Sequence, residues 1–559
     1  MKQVTLLLAA ALWCVAVLAQ QQGSPEGVFN GNVQVLFQQY NEDTLINAVL
    51  PPQETGINMY SNLIYTRGQF SAGGRIESYI PPIQGFPPGF NGSGIGYRFL
   101  RYSGDMFDIT AGNFYDQFGT GMIFRSYEER DLGIDNAMDG IRLILRPMPG
   151  ITLKGIYGRQ RAAFDNGLVN GEGLVRAVDG EVNLNYLLES WAGKDLRLSF
   201  GGSFLSKFQD GNDITKDTLQ LRLPKNVAAY QMRTEIAYKN LTFNGEFVHK
   251  INDPSQDNLF TYRDGYAIFG NLSWSKKGIG VNLQYKSLDN MSFRSDRNAS
   301  NFALPINFLP AITQQHTYNL AATLYPYATV INGESGYAAE VFYKIPRGSK
   351  LGGKYGTDIS VNYVQVTDVP KTPFSDGSVD DVLYGYEFDG LFGQSDSVFV
   401  KDFNFTISRK FNKKWKAKYA YFNFVFNADA NGVAAGFKGF AFADIHVLEL
   451  NYKIKPKHTL RTEFQTLFTN QDKGDWATVL AEYTFSPHWS FSILDQYNYG
   501  NSNEDRRVHY LYGAVTYTSG SNRISVGYGK RREGVFCIGG VCRTVPASNG
   551  LEIALATTF

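Results

Sequence analysis

The chain has 559 residues, with 53 Lys and Arg against 52 Asp and Glu, a formal net charge of +1. That balance gives no electrostatic reason to expect a nucleic-acid partner. A soluble chain of this length would be expected to divide into several domains, but 34 Tyr, 41 Phe and 57 Gly beside only 19% charged residues point to a single β-rich unit.

The chain opens MKQVTLLLAAALWCVAVLAQ. Lys2 is a positive n-region, Val4 to Leu18 is apolar, and Val17-Leu18-Ala19 fits a small-residue cleavage site, so residues 1–19 read as a secretory signal peptide. Cys14 lies inside the apolar run, which argues against a lipid anchor. Residues 20–30 are expected to form a short periplasmic segment, with a barrel over 31–559 that starts at "GNVQVLFQQYN". So short a lead leaves no room for an N-terminal plug domain.

From Gly31 onward the sequence alternates. "LRLSFGGSF" sets Leu196, Leu198, Phe200 and Phe204 against Arg197, Ser199 and Ser203. "YQMRTEIAY" sets Tyr230, Met232, Ile236 and Tyr238 against Gln231, Arg233 and Glu235. "IGVNLQYK" sets Ile279, Val281, Leu283 and Tyr285 against Asn282, Gln284 and Lys286. A period of two means strand. Segments of about 10–13 residues exceed ordinary soluble strands and suit a tilted membrane span. Trp415, Trp489, Tyr238 and Tyr452 fall at segment ends, where an interfacial girdle requires them.

Short turns alternate with long loops. Turns are expected near Gly68, Gly104, Pro149, Asn240, Lys277, Lys413, Pro456, Pro487 and Ser519. Loops are expected over 41–57, 80–94, 119–136, 160–174, 209–227, 252–264, 288–333, 369–398, 427–441 and 534–549. Short periplasmic turns and long outer loops are the rule for outer-membrane barrels. The expected fold is all-β: one transmembrane antiparallel barrel of about 24 strands, with 22 to 26 compatible, and both termini in the periplasm of a Gram-negative bacterium.

The densest polar passage is "GNFYDQFGTGMIFRSYEERDLGIDNAMDGIRL", residues 112–143. Calcium could be held by Glu128, Glu129, Asp131, Asp135 and Asp139, since that cation favours hard oxygen ligands. The spacing does not match an EF-hand, and Arg125, Arg130 and Arg142 are near enough in sequence to neutralise the acids. The favoured reading is a constriction loop in or above the pore, free to fold over Thr120–Asn136 and flanked by strands Met106–Phe118 and Ala137–Met148.

Alternation turns Arg142, Arg146, Lys154, Arg197, Arg233, Glu235, Glu246, Lys286, Lys344, Lys418, Glu449, Lys453, Arg461, Glu463, Glu482 and Glu552 toward the lumen. Lys or Arg facing lipid near the midplane would cost about 2–4 kcal/mol, so a wet interior accounts for the set without naming a substrate. The stretch "FALPINFLPAI", Phe302 to Ile312, is too apolar to sit in water. It is expected to tuck into the lumen, meet a partner or dip into lipid. The loop 369–398 mixes Asp376, Asp380, Asp381, Glu387 and Asp389 with Tyr384, Tyr386, Phe388 and Phe392, a composition suited to sugar or calcium but more simply to a packed surface loop.

Cys537 and Cys542, in "FCIGGVCR", are close enough for a small disulfide in an exported chain; with no nearby His they make a poor metal site. The histidines at 249, 316, 446, 458, 488 and 509 are scattered. No GxSxG, HExxH, Walker loop or CxxC occurs, so neither an enzyme nor a cofactor is expected.

Residues 112–143, with "NMYSNLIYTRGQFSAGGRIESY" as support, resemble an uncharacterised family of exported proteins from Bacteroidota. The final "LEIALATTF" resembles the closing strand of bacterial outer-membrane proteins, whose terminal aromatic belongs to the assembly signal. The resemblance implies an outer-membrane location, contact with membrane lipid and with the barrel assembly machinery, and no established activity. A barrel this wide needs its lumen filled by its own loops, by a partner protein or by a transiting substrate, since 22-stranded barrels already carry plugs. The expected function is a porin-like channel for solutes, narrowed by inward loops. The alternatives are a barrel subunit of an export or assembly complex, and a channel for hydrophobic substrates opening near Phe302–Ile312.

Overall fold

The computed structural model describes residues 27–559, apart from 212–213, 217–218, 300–302, 375–378, 431–436 and 539–540. The signal-peptide reading, and Cys14 with it, lies outside the described residues. The alternating segments become one antiparallel sheet of 24 strands that closes on itself. The first strand, Val28–Asn41, pairs with the last, Ser548–Thr558, with Leu36 opposite Ala554 and Gln38 opposite Glu552. The ring is locked where Gly31 and Phe559 exchange backbone hydrogen bonds, both of 3.0 Å. Closure leaves the 24-stranded wall no free strand edge among the described residues.

Register fixes which residues share a face. Opposed pairs around one stretch of wall are Val175 with Lys207, Ala177 with Leu205, Leu205 with Ala229, and Ala267 with Leu288. All of these side chains are buried. The residues between them turn outward and are exposed: Phe200, Phe204, Tyr230, Met232 and Ile236. The sheet thus carries an apolar outer belt and a covered inner face. At the turn end Trp415 stacks on Tyr452, with ring centroids 4.3 Å apart, and Trp489 lies 4.8 Å from Tyr517.

Several boundaries differ from those the sequence suggests. The first strand begins at Val28. No loop spans 160–174; strands Ile151–Asp165 and Leu168–Asn183 run on to a two-residue Asn166-Gly167 turn. Asn166 takes φ 52° there, a left-handed conformation that Asn and Gly tolerate and that closes tight hairpins. The connections 469–475 and 498–511 join the loop end, and the turn end carries two longer links, 184–195 and 346–356. The strand before the polar passage, Phe107–Phe114, leaves the wall at Tyr115; Asp116–Phe118 pairs with Phe124–Ser126 instead, and the wall resumes at Met138.

Candidate functional site: a self-plugged lumen with an arginine-lined cavity

The connection 290–333 folds into the barrel. Met291, Phe293, Ile306, Leu309 and Ile312 are buried with the inward side chains Val175, Leu205, Val248, Ala267, Val364 and Val400. Further along, Tyr318, Leu320 and Tyr325 join Phe422, Phe424, Ile445 and Leu467. Inward positions that would be polar beside water are therefore apolar here, because another part of the same chain covers them. Polar anchors set the position. Lys286 Nζ donates to Pro310 O at 2.6 Å and pairs with Glu334 at 2.5 Å. His316 Nε2 lies 2.7 Å from Asp402 Oδ2. Leu320 N donates to Gln465 Oε1, and Gln496 Nε2 to Asn319 Oδ1. The apolar run from Ala303 to Ile312 is part of this plug; Phe302 lies outside the described residues.

The polar passage 115–137 enters the lumen beside the plug. Arg125 N donates to Ile306 O and Phe308 N to Gly121 O, both within 2.9 Å. At its tip Thr120 donates through N and Oγ1 to the two oxygens of Glu246, each at 2.8 Å. Glu246 stands on strand Leu241–Lys250, well separated around the wall from the strands that bracket the passage. Gly119 turns at φ 54°, and a Cβ there would come within 2.6 Å of the Glu246 carboxylate; only glycine lets the tip approach so closely.

The carboxylates of the passage do not pair mainly with its own arginines. Asp135 and Glu128 bind Arg75, at 2.5 and 2.9 Å, and Asp135 also binds Arg161 at 2.8 Å. Glu77 joins both arginines, at 2.6 and 2.7 Å, and accepts from Tyr79. Arg161 and Glu77 are wholly buried. A buried charge survives only when paired and hydrogen-bonded, and each of these has several partners. Arg130 binds Glu128 at 2.8 Å, reaches Gln34 at 2.6 Å and lies 4.2 Å from the Tyr60 ring. Arg142 contacts Asp108 and Asp116, Lys154 binds Asp116 at 2.7 Å, and Asp139 takes Arg98 at 3.2 Å.

Arg125 makes no carboxylate pair among the described residues. Its guanidinium lies between the rings of Tyr127 and Phe308, at 4.3 and 4.1 Å. Of the neighbouring acids it acts on Glu129, through space and without a close ion pair. Burial pulls its pKa down from the ordinary arginine value, against the smaller opposing influence of Tyr127 and Glu129, and the ring faces add a cation–π attraction. Burial, with Asp131 second, raises the Glu129 pKa.

The remaining charged positions sit along the inner face. Arg233 forks onto Asp179 at 2.6 and 3.0 Å. Arg461 pairs with Glu463 and lies 3.5 Å from Glu449 and 3.9 Å from Glu482. Lys418, opposite Glu449, lies 4.8 Å from the Tyr318 ring of the plug. Lys344 binds Asp358 at 2.6 Å. Arg146, Arg197, Glu235 and Lys453 lie toward the turn end, Glu235 opposite Ser199 and Lys453 opposite Thr459. Among the described residues no group of three His, Cys, Asp or Glu side chains is placed to hold a metal ion. In the loop 368–397, Tyr386 donates to Asp289 at 2.6 Å and lies 3.3 Å from the Arg263 guanidinium. Asp376 and the Asp380 side chain are outside the described residues.

Arg75 and Glu77 escape a reading centred on the polar passage, although "GGRIESY" places them two apart on one face. Arg161 escapes because it was assigned to a loop. In the structure it sits at a register shift between Arg159 and Ala163, the kind of bulge that re-aims a side chain.

Cys537 and Cys542 form a disulfide in the hairpin Gly534–Ile538/Val541–Val545. This hairpin leans on the plug: Gln315 Nε2 reaches Cys537 O at 3.4 Å, and Arg532 donates to Thr323 Oγ1. Between the hairpin, the polar passage and the first and last strands lies a cavity of about 680 Å³. Its wall includes Arg130, Asp131, Arg531, Arg543, Glu552 and Tyr60.

The whole sequence, residues 1–559, matches the profile of a family described as a family of unknown function, DUF6029. The chain belongs to that family. No curated protein matches it. Among solved structures it is similar to the siderophore receptor PirA from Pseudomonas aeruginosa, at 10% identity and a TM-score of 0.39, over 96% of this chain and 81% of that one. It is similar to the translocation pore of the P pilus usher PapC, at 8% identity and 0.40, over 95% and 99%. It is also similar to OccK11 (OpdR) from Pseudomonas aeruginosa, at 8% identity and 0.34, over 95% and 96%. At these scores the similarity is one of general barrel shape and carries no functional reading.

Proposed function

We propose that this member of DUF6029 is a porin-like channel of a Gram-negative outer membrane, its lumen narrowed by its own segments 115–137 and 290–333. The observation that carries this reading is the pair of hydrogen bonds from Thr120 to Glu246. They hold a loop across the part of the closed barrel that the plug leaves unfilled. The apolar outer belt, the aromatic turn end and the terminal Phe559 support membrane insertion with turns and termini in the periplasm. Lipid and the assembly machinery are then its obligatory contacts, and no catalytic role is assigned. The apolar stretch that favoured a hydrophobic-substrate channel is spent on packing against Leu205 and Val248, which removes its support.

Purified chain in a planar bilayer should give small, discrete conductance steps. Silence in the bilayer, with defined subunits co-purifying from native membranes, would overturn the channel and favour a barrel subunit of an export or assembly complex.

A further inference from the structure

We propose that the cavity binds a small organic anion, with Arg543 as the residue that recognises its charged group; this rests on the channel reading above and names the class of solute. Four guanidinium groups line the cavity, from Arg130, Arg523, Arg531 and Arg543, against the carboxylates of Asp131 and Glu552. Two of the arginines are already committed. Arg531 grips both oxygens of Glu552, at 2.6 and 2.7 Å, and reaches Tyr512 at 2.8 Å. Arg130 is held by Glu128 and Gln34. Arg523 stands exposed at the turn end.

Arg543 is different. Its Nε and Nη1 are buried without a hydrogen-bond partner, and among the described residues it forms no ion pair. Its guanidinium lies 5.9 Å from the centre of the Phe86 ring. Burial pushes its pKa down, and the through-space influence of Asp131 pushes it back. A guanidinium keeps its proton in proteins, so a half-buried one that lines a cavity without an ion pair gains from an acceptor there. An anion entering the cavity supplies that acceptor to the part of the guanidinium that lines it. Leu36, Ile83, Val545 and Pro546 line the same space and give an apolar surface for the rest of the solute, which inorganic phosphate could not use. The class is therefore a carboxylate carrying an apolar or aromatic body.

The test is equilibrium binding by titration calorimetry on the full-length, detergent-solubilised chain. It does not depend on conductance, so its failure is distinguishable from failure of the channel reading. Benzoate and inorganic phosphate serve as probes. Benzoate should saturate, and bind more tightly than phosphate. Arg543→Gln should weaken benzoate by about tenfold or more, as expected for loss of a charged hydrogen bond. Asp131→Asn should tighten it, and Arg159→Gln, on the outward face, should leave it unchanged. If Arg543→Gln fails to fold, Arg543→Lys, which keeps the charge but loses the planar donor set, should show an intermediate loss. Absence of saturable benzoate binding, phosphate binding as tightly as benzoate, or unchanged affinity in the folded Arg543 variant would each overturn the proposal.

Discussion

From strand Leu168–Asn183 round to strand His458–Phe468 the inner wall carries an apolar band, with Leu205, Val248, Val364, Phe424 and Ile445 buried in clusters with the plug, flanked by largely buried pairs such as Lys286–Glu334 and Arg233–Asp179. Round the first and last strands the inner wall carries Arg75, Glu77, Arg531 and Glu552, with a cavity in place of a core. One barrel has thus solved the same problem twice. On one side the lumen is closed like a protein interior, by an apolar plug pinned with a few buried polar anchors. On the other it is closed by charges that hold a loop in place and leave room beside it. In the proposed channel, solute and water would follow the second side, because the packed apolar band on the first leaves no room beside it.

The sharpest way to break this comparison is to remove the plug. Replacing residues 295–328 with a short Gly-Ser linker should raise single-channel conductance several-fold while the barrel still assembles, because strand pairing and closure make no use of the plug. Unchanged conductance would mean that the plug does not obstruct the path. On the charged side the largest effect belongs to Arg161→Ala. It leaves Glu77 and Asp135 buried with one guanidinium between them, at a cost of about 3–5 kcal/mol. Thermal unfolding should fall, and amides of 127–136 should lose protection from hydrogen exchange.

How much of this was legible in the sequence differs between the two sides for a physical reason. Strand faces obey a strict period of two, so Phe200, Met232 and Ile236 could be turned outward and Arg233 and Glu246 inward from the letters alone. Which inward residues meet water cannot be read that way. Leu205 and Val248 lie on the inner face as surely as Arg233, but their covering comes from residues far away in sequence. The polar passage was visible as a charged loop in or above the pore. Its partners were not, because Arg75 and Arg161 arrive from two other hairpins, one through a bulge that breaks the alternation. The Asn166-Gly167 turn was the missed local signal: it would have extended both strands and placed Arg161 on the wall.

The plugged side can be sharpened within one strand. Leu205→Ala should cost about 2–5 kcal/mol, since a fully buried side chain leaves a cavity beside the plug. Phe200→Ala, five residues away on the exposed outer face, removes no packed neighbour inside the barrel. Melting of the two variants in the same detergent separates the faces: the larger loss must follow Leu205. Equal losses would argue that the plug does not pack against this wall.

The smallest expected effect tests the charged side through pH. Burial and neighbouring Asp131 hold the Glu129 carboxyl above its ordinary pKa. A folded-state value above the unfolded one means that the folded loop prefers the protonated acid. That contribution is full at pH below the unfolded pKa and is lost as pH rises through the folded one. Mild acidification from about pH 7 toward about pH 5 should therefore steady the loop locally, above the range where ordinary carboxylates titrate. Glu129→Gln should remove the response and mimic the protonated loop at neutral pH. Comparing hydrogen exchange of amides 127–133 in wild type and variant at each pH cancels the intrinsic pH dependence of exchange. The variant should be better protected at about pH 7 and closer to wild type at about pH 5. A variant less protected than wild type at about pH 7, with the two converging on acidification, would mean that Glu129 is stabilised as a carboxylate, and that the loop is held by one more ion pair than the geometry shows.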